Sequence, residues 1–98
     1  MALNISWTKR ADNNFDEIIE YLEINWGDQV TKKFITEVYD FLELIAEFPE
    51  IGSIENKENN IRGFTLIKQI NIFYRISSKK IIILGLFDNR QNPTKKHK

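Results

Sequence analysis

The chain has 98 residues, enough for one domain and too few for two. Hydrophobic residues make up 42% and charged residues 29%, the balance of a globular domain, and the formal net charge is zero. It has no cysteine, which excludes disulfides, zinc ribbons and thiol catalysis, and its one histidine, His97, is next to last. A histidine metal cluster and a Ser-His-Asp triad are thereby excluded too, and no cofactor is expected. No apolar run approaches the roughly 20 residues of a membrane helix. The opening "MALNISWTKR" lacks the layout of a signal peptide. A cytoplasmic protein without a membrane partner is expected.

The chain begins with "LNISW" (Leu3–Trp7), whose alternation of apolar and polar residues suits a short strand. Thr8 or Asp12 can cap the helix that follows. Ala11, Phe15, Ile18 and Leu22 recur at helical spacing and form one apolar stripe. Gly27 in "NWGD" suits the end of that helix, and Asp28 is placed to cap the next. The second helix is predicted from Gln29 to about Glu47, with Phe34, Val38, Phe41, Ile45 and Phe48 as its stripe, until Pro49 stops it. So short a connection makes the helices an antiparallel hairpin. Trp7 and Trp26 flank the first helix and are expected to seal its ends.

"PEIGSIENKENN" (residues 49–60) reads as a polar loop. Three strand candidates follow: Ile61–Ile67, Ile70–Ile76 and Ile81–Phe87. In the second, Ile70, Ile72, Tyr74 and Ile76 share one face, and Asn71, Phe73 and Arg75 share the other. The links "KQ" and "SSKK" are short enough for hairpins but lack the glycine that tight hairpins prefer. The predicted fold class is α+β in the order β-α-α-β-β-β, a single domain over residues 1–98. Its helical hairpin packs on one face of a small, mostly antiparallel sheet. Residues 91–98 read as a polar, mobile tail. The opposite sheet face has no obvious cover, and an aromatic among cations there marks a binding surface.

The zero net charge hides a division. Residues 11–60 hold thirteen acids and three bases, a formal charge of −10; residues 61–98 hold one acid and nine bases, +8. Either the helices and loops have ordinary solvated faces, or the molecule is bipolar, with a basic side suited to phosphates or an acidic partner.

Several strings in this order resemble the RelE/ParE superfamily of bacterial toxins, the toxic halves of toxin–antitoxin pairs. They are "W…A…F…I..YL…WG", "F…V…L..I…FPEIG", "IRGF", "IFYRI" and "IIILGLFDNRQNP". The resemblance spans nearly the whole chain and implies a cognate antitoxin as partner. RelE-like members cut messenger RNA on the ribosome with clustered basic residues and often a C-terminal His or Tyr. ParE-like members poison DNA gyrase and are not known to catalyse a reaction. Where relatives often carry histidine, this chain has Asp88, and no other His or Tyr follows except His97. Cleavage by 2′-OH attack needs a proton acceptor, a proton donor and cations on the phosphate. Arg62, Arg75 and Arg90 can supply the cations and Asp88 a base, but the general acid is missing.

The resemblance therefore points to the ParE-like branch, acting by obstruction of a target such as gyrase. The expected target-binding residues are Arg62, Phe73, Arg75, Arg90, Lys95 and Lys96. Tyr21 and Tyr39, at the edges of the helical stripes, are expected to meet the antitoxin. The alternatives are a ribosome-dependent endoribonuclease using Arg62, Arg75, Arg90 and Asp88, and a non-toxic antitoxin-binding module. Each single residue also has a plain reading: Arg62 paired to a helix glutamate, Arg75 paired to an acid, and the tail lysines solvated.

Overall fold

The computed structural model of the chain describes residues 3–88. The expected tail, with Arg90, Lys95 and Lys96, lies outside the described residues. The elements are β1 (Asn4–Trp7), α1 (Lys9–Trp26), α2 (Asp28–Glu47), β2 (Ser53–Asn56), β3 (Ile61–Thr65), β4 (Ile70–Ser77) and β5 (Lys80–Asp88). Single 3-10 turns at Pro49–Ile51 and Ile67–Gln69 precede β2 and β4. The strands form one sheet in the order β1-β5-β4-β3-β2. All pairs are antiparallel except β1 with β5, so the first and last strands lie side by side.

The α+β order holds, with one strand more than expected. β2 lies inside the segment read as a polar loop. All four of its residues, Ser-Ile-Glu-Asn, are exposed, so they carry no apolar alternation. Its pairing with β3 defines it as an edge strand.

Thr8 caps α1: its Oγ1 accepts from the Ala11 N–H at 3.0 Å, satisfying one of the first-turn donors. α1 ends at Gly27, whose φ of 91° is open to glycine and whose N–H donates to the Leu22 carbonyl. Asp28 does not cap α2; it is the first residue of that helix, and Gly27 precedes it without a side-chain cap. The Gly27 carbonyl instead accepts from both the backbone N–H and the hydroxyl of Thr31.

The core lies between the helix pair and the inner sheet face. It is built from Ala11, Ile18 and Leu22 of α1, Phe34, Val38, Phe41 and Ile45 of α2, and Ile70, Ile72 and Tyr74 of β4. Ile81, Ile83 and Leu86 of β5, with Leu66 just after β3, complete it. Each buried Leu, Ile, Val or Phe side chain among these contributes about 1.5–3 kcal/mol. Phe15 sits at the rim, its ring 5.4 Å from Trp7 and 5.8 Å from Phe34. Two aromatic expectations fail. Phe48 is 60% exposed, because α2 ends at Glu47 and the chain turns away before another turn can bury it. Trp26 is 42% exposed and does not seal the helix end; Lys68 Nζ sits 3.6 Å over its ring instead.

A bulge in β5 controls which residues face where. Phe73 pairs with Gly85 and Tyr74 with Ile83, leaving Leu84 as the extra residue. The alternation is therefore reset, and Leu86 and Asp88 join Ile81 and Ile83 on the buried side.

Candidate functional site

The outer face of the sheet carries no helix among the described residues. On β4 it presents Asn71, Phe73 and Arg75, the residues alternate to buried Ile70, Ile72 and Tyr74. Register places Ile61 and Ile82 on either side of Arg75, and Gly63 and Gly85 on either side of Phe73. Gly63 gives Phe73 its place. A Cβ on Gly63 would stand 3.0 Å from the Phe73 ring. The ring thus lies across a strand position where any side chain would press on it. Arg75 is exposed beyond it. The face joins half-buried Phe73, Ile61 and Ile82 to an exposed guanidinium.

Arg62 lies elsewhere. It pairs with Tyr74, so its side chain leaves the inner face, opposite to Arg75. Its Nη1 donates to the Glu50 carbonyl at 3.0 Å and to the Gly52 carbonyl at 2.8 Å. Tyr74 grips the same segment: its hydroxyl donates to the Pro49 carbonyl at 2.6 Å and accepts from the Gly52 N–H at 3.0 Å. Gly52 allows this closeness, since a Cβ there would stand 2.8 Å from both the Gly63 carbonyl oxygen and the Tyr74 hydroxyl. Burial pushes the Tyr74 hydroxyl above the ordinary tyrosine value, against smaller downward pulls from the Gly52 N–H and Arg62. The structure therefore does not bring Arg62 and Arg75 together.

Where β1 stops, α1 takes over the edge of β5. The Thr8 N–H donates to the Ile83 carbonyl, the Thr8 hydroxyl to the Leu84 carbonyl, and the Leu86 N–H to Asn14 Oδ1 at 3.1 Å. A cleft of about 270 Å³ opens at this crossing, and Arg10, Asn14 and Glu17 face Phe73, Gly85 and Phe87 across it. Asp88 lines the same cleft from the end of β5 but is only 4% exposed, which limits its access to a bulky substrate. Sequence reading passed over Arg10 and Asn14. The usable signal was the absence of any linker between β1 and the Thr8 cap, which ties the first turns of α1 to the sheet edge.

On the helical side, Tyr21 lines a shallow groove of α1 with Glu17, Glu20 and Ile24. Tyr39 is 56% exposed on α2. A second groove runs along the end of α2 between Asp40, Glu43, Leu44, Glu47 and Phe48. No helix among the described residues is long and apolar enough to cross a membrane.

A helical hairpin thus lies on one face of a five-stranded α+β sheet whose other face carries no helix among the described residues. Residues 5–93 match the family model of the ParE toxin of the type II toxin–antitoxin system parDE, and the chain belongs to that family. It is thus a type II toxin–antitoxin toxin, and membership implies an antitoxin partner. Among solved structures, the fold is shared with the chromosomal ParDE toxin–antitoxin system from P. aeruginosa. The TM-score is 0.72 at 17% identity, over 89% of this chain and 96% of that one. It is shared also with a mutant of E. coli toxin RelE in the free state, with a TM-score of 0.65 at 12% identity, over 98% of this chain and 93% of that one. A conserved hypothetical protein from Helicobacter pylori has a TM-score of 0.57 at 18% identity, over 90% and 96% of the two chains. Comparison with curated proteins finds no match.

Proposed function

We propose that this toxin acts in the ParE-like manner, by binding and obstructing a target such as DNA gyrase, without catalysing a reaction. The observation that carries this reading is the opposition of Arg62 and Arg75 across the sheet. A ribonuclease needs several cations converging on one phosphate, with a proton donor beside them. Here one arginine is committed to backbone carbonyls and the other stands with Phe73, Ile61 and Ile82 on an open face. An apolar patch with a charged anchor suits a protein target. Phe73 and Arg75 supply the described part of the contact. Arg90, Lys95 and Lys96 are proposed to extend it, and Tyr21 and Tyr39 to meet the antitoxin.

The test is pulse-labelling of DNA and protein synthesis immediately after induction of the chain without antitoxin. An early fall in DNA synthesis supports the reading and makes gyrase the next assay. An early fall in protein synthesis, with cuts in messenger RNA, contradicts it in favour of the ribosome-dependent endoribonuclease. No change in either, with folded and abundant protein, leaves a non-toxic antitoxin-binding module.

A further inference from the structure

The corner where α2 ends and the sheet edge begins has a composition of its own. From Phe34 to Asn56 there is no lysine or arginine, while Glu37, Asp40, Glu43, Glu47, Glu50 and Glu55 all fall within it. Amid these acids stand exposed apolar side chains: Leu44, Phe48 (60% exposed), Ile51 (45%) and Ile54 (56%). Leu44 and Phe48 share a groove with Asp40, Glu43 and Glu47. Ile54 leaves the sheet on the helix side, because it pairs with Arg62, which pairs with Tyr74. Among the described residues, β2 is the last strand of the sheet and has one neighbour. Its other edge therefore offers backbone donors and acceptors to an added strand.

The corner is also held in place. Tyr74 and Arg62 together bond the Pro49, Glu50 and Gly52 backbone, so the segment carrying Ile51 is fixed against the sheet before any partner arrives. A preorganised surface loses little freedom on binding.

We propose that this corner is the docking surface for a basic segment of the antitoxin that carries apolar anchors and pairs along β2; this rests on the toxin–antitoxin reading. Its lysines or arginines meet Glu43 and Glu47, and its anchors cover Leu44, Phe48 and Ile54. Charge selects this occupant. A second copy of the chain would bring the same acids against one another, and like charges held together oppose pairing. The chain's own residues 89–98, NRQNPTKKHK, are basic but contain no large apolar residue to cover the patch.

The test measures affinity of the full chain for its antitoxin, for the wild type, a Glu43→Lys/Glu47→Lys double variant, Phe48→Ser, and Asp16→Lys on α1 as control. All four sites are exposed, and circular dichroism checks folding. The expected result is a loss of about tenfold or more in the first two variants, little change in Asp16→Lys, and weaker wild-type binding as salt rises. Hydrogen exchange should show the β2 amides not bonded to β3 becoming protected only in the complex. Unchanged affinity in both corner variants overturns the inference while the toxin–antitoxin reading stands. So does an equal loss in Asp16→Lys. Protection of β2 in the free chain also overturns it: if it rises with concentration the occupant is a second copy, and if not, the chain's own end. No complex even with the wild type contradicts the pairing itself, and this inference with it.

Discussion

The Tyr74 hydroxyl donates to the Pro49 carbonyl at 2.6 Å, across 25 positions of sequence, and so joins the middle of the sheet to the end of the helical hairpin. The same oxygen accepts from the Gly52 N–H. Tyr74→Phe keeps the ring and leaves both backbone groups without their partner. The expected cost is about 1–3 kcal/mol, read from urea denaturation. Tyr74 also predicts a pH dependence. Its folded-state pKa is raised above the ordinary 10.0, chiefly by burial, so the native protein favours the neutral phenol. That contribution is fully present below the unfolded-state pKa and is lost as pH rises through the folded one. Stability should therefore fall in the alkaline range above the ordinary tyrosine value, and the Tyr74→Phe variant should lack this component.

Two glycines should respond differently to the same methyl group. In Gly52→Ala the new Cβ meets a backbone oxygen, Gly63 O, at 2.8 Å, as well as the Tyr74 hydroxyl. Backbone cannot move aside cheaply, and about 1–3 kcal/mol of destabilisation is expected. In Gly63→Ala the nearest atoms, at 3.0 Å, belong to the side chains of Glu55 and Phe73, which can shift. Its cost should be smaller, and thermal melts of the two variants check the order.

Ser78 has a φ of 54° in the β4–β5 turn, a left-handed conformation that costs a non-glycine residue energy. Ser78→Gly should therefore stabilise the protein by about 0.5–1 kcal/mol, net of the added freedom of the unfolded chain. A lowered melting temperature would show that the Ser78 side chain contributes more than the turn strain costs.

This turn also shows what was legible in the sequence. The shortness of "SSKK" predicts a hairpin although the link lacks glycine; the structure resolves the conflict by placing Ser78, and likewise Lys68 and Gln69 in the other link, at positive φ. The helical stripes and the alternation of β4 were readable because burial of one face imposes a period. β2 was not, since an edge strand exposed on all four residues has none. The inner-face position of Arg62 depends on its pairing with Tyr74, and its role as a clamp on bonds to carbonyls ten and twelve residues away. The cleft at Arg10 and Asn14 depends on the β5 bulge, which no local pattern announces.

Arg75 is exposed on the outer face, so Arg75→Ala should leave stability within about 0.5 kcal/mol of the wild type. It should weaken binding to the target by about tenfold or more if the guanidinium is an anchor of the interface. Arg62→Ala should do the reverse, lowering stability through the released Glu50 and Gly52 carbonyls. Paired melts and growth-inhibition titrations separate the two.

The measurement that tests the central claim most directly is supercoiling by purified DNA gyrase, titrated with the purified toxin, beside a translating system monitored for messenger RNA cleavage. Obstruction predicts that supercoiling falls as the toxin approaches the enzyme's own concentration, that Arg75→Ala shifts the titration, and that messenger RNA stays intact. Undiminished supercoiling at excess toxin, with RNA cut by amounts far below the ribosome concentration, would contradict the account.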